Sequence, residues 1–257
     1  MGNYDFDSAV IGGGSAGYAT ARTTAAAGKR TVIIEAGGEL GGLCILRGCM
    51  PTKALLHAAD VRHQARRSSI WGLKPDEVSF DFAAVMRRKA AMVEEFASYR
   101  RGQLQDGRFE LIRALARFRD PHTLELDNGK AVTAEHIMIC TGSRVAELPL
   151  PGLTKLGCIT SDDALRLKSL PKSIIVLGGG AVALEFAQFF ARFDVEVTLL
   201  QRSPHILKAF DDDGAGEVEA AFRAEGITVH TGCSLIDARH DGNEKMVVYE
   251  RDGVQHE

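Results

Sequence analysis

Two short apolar runs, Ser8 to Ile11 and Ser173 to Leu177, each lead into a cluster of glycines. In both places a segment rich in alanine or phenylalanine follows at helical spacing, and then a second apolar run, Arg30 to Ile34 in one case and Val195 to Leu200 in the other. Short uninterrupted apolar runs of this kind read as parallel strands buried on both faces. The chain therefore contains strand, glycine turn, helix and strand twice, with Val10 to Gly17 aligning on Val176 to Ala183. Between the copies, Phe82 to Gln105 has the interleaved basic and apolar residues of a packed amphipathic helix. Phe109 to Val132 reads as short strands around the turn Asp127-Asn128-Gly129, and Met246 to Tyr249 as another strand. Leu148-Pro149-Leu150-Pro151-Gly152 is the best linker candidate.

The glycine spacing gives the repeat a chemical meaning. In G-x-G-x-x-G the first glycine permits a tight turn, the second lets a pyrophosphate approach the backbone, and the third position takes a small residue for helix-on-strand packing. Gly12, Gly14 and Gly17 fill these places in the first copy, and Gly178, Gly180 and Ala183 in the second. Phosphates would then sit on a helix N-terminus, where unpaired N–H groups and the dipole favour anions. The expectation is an α/β chain of two Rossmann-like dinucleotide-binding domains, residues 1–148 and 149–257. About 20 residues beyond the turn such folds place an acid for the ribose 2′-hydroxyl. Glu35 stands there in the first copy, whereas the second has Gln201 followed by Arg202. A carboxylate repels a 2′-phosphate and a neutral residue beside an arginine accommodates it, so the first site suits an unphosphorylated adenosine and the second leans towards NADPH.

Composition narrows the function classes. The 257 residues are 45% apolar and 25% charged, with a net charge of −3 and no long run of one sign. That balance gives no footprint for nucleic acid or an anionic membrane. The N-terminus lacks a basic region followed by an apolar run and no window has the length of a membrane span, so a cytoplasmic protein is expected. Five cysteines are too few for a disulfide scaffold, and only Cys44 and Cys49 are close in sequence.

That pair sits in GGLCILRGCMPTK, from Gly41 and Gly42 to Lys53. A metal site would require further ligands, and no second cysteine or histidine pair at ligand spacing accompanies it, so no metal is expected. Two buried structural thiols are the other ordinary reading, but they leave the glycine turns unexplained. Pro51 is tolerated in a first helical turn, which puts Cys49 at a helix N-terminus where the dipole stabilises a thiolate. Lys53 falls on the same helix face one turn on.

Two dinucleotide motifs and this cysteine stretch together resemble the pyridine nucleotide–disulfide oxidoreductases, the flavoprotein family of dihydrolipoamide dehydrogenase, glutathione reductase and mercuric reductase. The resemblance spans nearly the whole chain. It implies FAD at the first turn, NADP or NAD at the second, and a redox-active Cys44–Cys49 disulfide in which Cys49 faces the flavin and Cys44 exchanges with a small-molecule or protein-borne disulfide or dithiol. It implies that Gly42 belongs to the redox signature and that Lys53 pairs with Glu185 near the flavin. It places Thr141 and Gly142, at the end of an apolar strand, where the chain passes the cofactor. Ala181 stands where glutathione reductases carry a tyrosine gate. The Cys-x-x-Cys pair of low-molecular-weight thioredoxin reductases is not present. Members of the family continue into a dimerisation domain that brings a His-Pro base from the partner subunit. No histidine here precedes a proline, so the chain reads as the N-terminal part of a homodimeric enzyme, with that domain absent. The other functional class that the sequence leaves open is a nucleotide-binding module without turnover.

Overall fold

In the computed structural model, which describes residues 4–74, 77–146, 148, 150, 152–153, 155–242 and 244–257, the first apolar run becomes β1 (Phe6–Ile11). After the glycine turn come α1 (Ser15–Ala26), β2 (Thr31–Ile34), the short α2 (Gly42–Leu46), α3 (Cys49–Arg66) and the long α4 (Phe82–Leu104). Four strands follow: β3 (Glu110–Ile112), β4 (Ala116–Asp120), β5 (Thr123–Leu126) and β6 (Ala131–Ile139). The second half runs α5 (Ser161–Ala164), β7 (Ser173–Leu177), α6 (Ala181–Arg192), β8 (Glu196–Leu200), α7 (Asp212–Ala224) and β9 (Thr228–His230), then β10 (Ser234–Asp241), β11 (Glu244–Arg251) and β12 (Val254–His256). The α/β class expected from the sequence is the class observed. Pro149 and Pro151 of the linker stretch lie outside the described residues.

The chain divides into two compact units. One runs to Pro51 and resumes from Lys89 to Arg144, and the other comprises Thr52–Arg88 and Val145–Glu257. Residues 52–88 count with the second unit because Leu55 and Ala59 of α3 are fully buried in one core with Ala187 and Phe190 of α6.

In the first unit a six-stranded sheet has the order β3-β2-β1-β6-β5-β4. β1 pairs in parallel with β2 and β6, and β5 returns antiparallel to β6. The apolar runs of β1 and β2 are continuous because both sheet faces are covered. Ala9 and Val32 bury on one face with Leu124 and Ala134, and Val10 and Ile33 on the other with Tyr18 and Ala21 of α1. Gly12 has φ +101°, and a Cβ there would overlap the Cys140 carbonyl as the chain leaves β6. A Cβ on Gly17 would overlap the Gly12 carbonyl oxygen and press within 3.3 Å of Val10. Backbone thus packs on backbone where α1 begins.

The second unit repeats the pattern in parallel strands ordered β7-β8-β9, beside an antiparallel sheet β10-β11-β12. Its core gathers Phe186, Phe189, Phe190 and Phe193 from α6 and the turn after it. Ion pairs join α3 to that region in constant register: Lys53–Glu185, Asp60–Arg192 and Arg62–Asp194 are each 132 residues apart. A constant offset kept from Lys53–Glu185 to Asp60–Arg192, about two turns of each helix, means that the two helices run parallel. Among the described residues no helix is long and apolar enough to cross a membrane.

Gly17→Ala is expected to lower stability by about 3 kcal/mol or more, because no side-chain rearrangement relieves a clash with backbone. Gly102→Ala, in α4 with open space around it, should instead raise stability by about 0.5–1 kcal/mol. Urea midpoints of the two variants measure both signs.

Candidate functional site

At the first glycine turn the N-terminus of α1 is bare. Its N-cap residue is Gly14, which makes no side-chain cap, so the first N–H groups of the helix are available to an anion. Gly42, at φ +74°, crosses so close that a Cβ on it would overlap the Gly14 Cα. The backbone that leads to Cys44 is thereby laid against the start of α1. Glu35, at the end of β2, accepts hydrogen bonds from the Gly13 and Gly37 N–H groups, both at 2.6 Å. Its carboxylate therefore stands at the turn, and each oxygen keeps a further lone pair. Thr141 and Gly142 are exposed in the segment that crosses Gly12.

Cys44 lies in α2 and Cys49 is the first residue of α3. Cys44 is half-buried, Cys49 is exposed, and both are free thiols. Burial pushes the Cys44 thiol above its ordinary pKa, and the neighbouring Cys49 adds to the rise, against a smaller opposing influence of Ser15. Cys140, Cys158 and Cys233 are the remaining free cysteines, of which Cys233 is buried. On α3, Lys53 forms an ion pair with Glu185 of α6, with side chains 61% and 31% exposed. Pairing at that exposure contributes little to stability, so its consequence is to aim the ammonium. Among the described residues no three His, Cys, Asp or Glu side chains gather as a metal site.

The second turn keeps the framework of the first with one charge removed. Gly179 N–H donates to the Gln201 side-chain oxygen at 3.0 Å, as Gly13 N–H does to Glu35, and both bonds span 22 residues. Gln201 is buried at 9% exposure, and Arg202 beside it is exposed. Gly180 is the bare N-cap of α6, and nothing lies within 4 Å of a Cβ built on it or on Gly178. The space in front of this backbone is a cradle that a side chain would fill, as a bound pyrophosphate requires. Ala183 is half-buried in the third position. The concavity here is also lined by Ser203, Lys208 and Phe210, which the spacing argument does not mark. Leu207 brings them in: it adopts φ +51° and donates its N–H to the Gly179 carbonyl at 2.8 Å. The only sequence hint is the density of Arg202, Ser203 and Lys208 shortly after a strand.

The family model described as pyridine nucleotide-disulphide oxidoreductase matches residues 6–256. A mercuric reductase of Bacillus cereus is 34% identical over 98% of this chain and 40% of its own length. A dihydrolipoyl dehydrogenase of Geobacillus stearothermophilus is 33% identical over 95% of this chain and 52% of its own. Among solved structures, the HOCl-induced flavoprotein disulfide reductase RclA from Escherichia coli superposes with a TM-score of 0.80 at 30% identity, covering 97% of this chain and 54% of that one. The chain spans about half the length of these relatives.

In the reduced chain, iodoacetamide labelling of Cys44 should reach half its maximal rate above the pH of an ordinary thiol. Cys49→Ala should bring that midpoint down only part of the way, because burial, the largest cause, remains. Peptide mapping across a pH series reads both, and a Cys44 that labels like free cysteine contradicts the assigned environment.

Proposed function

Because the chain belongs to the pyridine nucleotide-disulphide oxidoreductase family, we propose that it is the FAD- and NADP(H)-binding part of a flavoprotein disulfide oxidoreductase whose redox-active pair is Cys44 and Cys49. The carrying observation is the cysteine pair itself: two free thiols, one opening α3 and the other in a segment laid against a bare helix N-terminus, with Gly48 packed on the Cys44 backbone between them. The residues at the first turn fit FAD, since the side-chain-free start of α1 is a place for its pyrophosphate and Glu35 for its ribose hydroxyls. Bound FAD would supply a two-electron carrier between a nicotinamide and the cysteine pair.

The remaining roles fall to the protein. Cys49, the first residue of α3, is in this reading the sulfur that faces the flavin. Cys44, with its raised pKa, stays a thiol at neutral pH and requires a base before it attacks a substrate. Glu185 holds the Lys53 ammonium one turn from Cys49. We assign Thr141 and Gly142 to the passage of the cofactor. The full-length enzyme is a homodimer in this reading, with the base for Cys44 supplied by the partner subunit, as in the family it resembles.

At the second turn the neutral Gln201 removes the charge that would oppose a 2′-phosphate, and Arg202, Ser203 and Lys208 line the same concavity. NADPH is the donor this arrangement favours over NADH. In the full-length, FAD-loaded protein, Arg202→Glu and Lys208→Glu should each raise KM for NADPH about 10–100-fold and change KM for NADH by less than about twofold. Parallel steady-state kinetics with the two donors decides the point, and equal losses for both remove these residues from phosphate recognition.

The redox reading itself is tested by anaerobic titration of the same protein with NADPH. Two thiols should become titratable as the donor is consumed, and Cys49→Ser should abolish their appearance while leaving flavin bleaching intact. Thiol content that stays constant through the titration would mean a nucleotide-binding module without disulfide chemistry.

A further inference from the structure

Beyond the glycine turn and Gln201, the second concavity is lined by a single segment, Arg202 to Phe210, which joins β8 to α7. Its first part is tied down by backbone and burial: Gly232 N–H donates to the Ser203 carbonyl at 2.9 Å, Leu207 N–H to the Gly179 carbonyl at 2.8 Å, and Ile206 is fully buried. Among the described residues of the segment, only His205 has a side chain bonded in place. Its Nδ1 lies 2.7 Å from the Ile206 carbonyl oxygen and its Nε2 3.0 Å from Oδ1 of Asp212, the first residue of α7. Arg202 and Lys208, which line the concavity, form no ion pair among the described residues.

The His205–Asp212 contact spans the part of the segment that the backbone bonds leave loose. Between its two ends stand Leu207 and Lys208. Leu207 has φ +51°, a left-handed conformation that a residue with a bulky side chain keeps only where its surroundings impose it. The bond from Phe210 N–H to the Leu207 carbonyl, at 2.8 Å, is local to that bend. The histidine contact is the one side-chain tie, among the described residues, from the start of the segment to the helix that ends it. The two side chains are 30% and 87% exposed, and a contact at that exposure contributes little to stability. Its consequence is positional: a segment already ordered loses less freedom when a ligand engages Lys208.

We propose that His205 is a positioning residue for the 2′-phosphate of NADPH, acting through Lys208 and not by its own contact with the nucleotide. Clasped to Asp212, it holds the bend that turns Lys208 into the second concavity. The inference rests on the reading of that concavity as an NADPH site. It has a consequence opposite to simple electrostatics. Asp212 is an anion, so by charge alone it opposes a phosphate bound nearby, whereas as the anchor of the clasp it assists the binding of one.

The test is calorimetric titration of the full-length, FAD-loaded protein with two probes that lack the nicotinamide, ADP-ribose and 2′-phospho-ADP-ribose. The ratio of the two affinities reads the phosphate alone. The unaltered protein should bind the phosphorylated probe about 10–100-fold more tightly. His205→Ala and Asp212→Ala should each lower that ratio about 3–10-fold, the scale of one or two side chains ordered on binding, and leave the affinity for ADP-ribose unchanged. The double variant should lose no more than either single one, because both remove the same contact. In a Lys208→Gln background the effect of His205→Ala should largely vanish. Asp213→Ala removes a carboxylate from the same helix turn without touching the clasp and should not lower the ratio. Should His205→Ala fail to fold, Asp212→Ala at its exposed position decides by its sign. A ratio that Asp212→Ala raises or leaves unchanged, additive losses in the double variant, an equal loss in Asp213→Ala, or a full effect of His205→Ala without Lys208 overturns the clasp and leaves the NADPH reading standing. A ratio near one in the unaltered protein overturns the NADPH reading, and the clasp with it.

Discussion

The close approach of backbone to backbone at the start of α1 is the constraint on which the first unit is built. With no Cβ at Gly17, the helix seats directly on the Gly12 carbonyl. Its N-terminus then stands at the end of β1 with no side chain in front of it. Because Gly14 and Gly42 also lack side chains, the segment carrying Cys44 crosses that same N-terminus. A bare helix N-terminus and the backbone that carries Cys44 are thus brought together by the absence of atoms. Replacing any of these glycines would separate the two features, since a backbone clash cannot be relieved by a rotamer change.

In the second unit the corresponding turn is looser, and charge takes over part of the work. The third position tolerates Ala183, and open space surrounds Gly178 and Gly180. Order comes instead from the ion pairs between α3 and the region of α6. Arg62 is 9% exposed between the rings of Phe80 and Phe193 and bonds Asp194 at 2.5 Å. Arg192 is 12% exposed and pairs with both Asp60 and Glu225. Of these pairs Arg192–Glu225 is buried on both sides, and breaking such a pair by removing one partner costs about 3–5 kcal/mol, more than the intact pair contributes over an apolar substitute. Such pairs therefore act chiefly against the wrong register, and a fixed register fixes where Lys53 meets Glu185.

Charge also separates the roles of the two turns. The same backbone-to-side-chain bond is made once to a carboxylate, Glu35, and once to a neutral amide, Gln201. Geometry is retained while the local potential changes from one turn to the other.

Much of this was legible in the sequence because it depends on short-range patterns. Continuous apolar runs gave β1, β2, β7 and β8, helical periodicity gave α4, and the two glycine spacings marked both turns together with Glu35 and Gln201. Pro51 after Cys49 was enough to start α3 at that cysteine. What the sequence left open lies in contacts between residues far apart along the chain. Nothing in its periodicity states that Asp60 meets Arg192, that Lys208 is turned into the second concavity, or that Arg100 covers Tyr18 with a buried nitrogen unsatisfied. Local patterning determines which face of an element is apolar, but a charged residue on the other face has many sterically allowed partners. Only the rotation and register of packed helices select one of them, and those are set by the whole core at once.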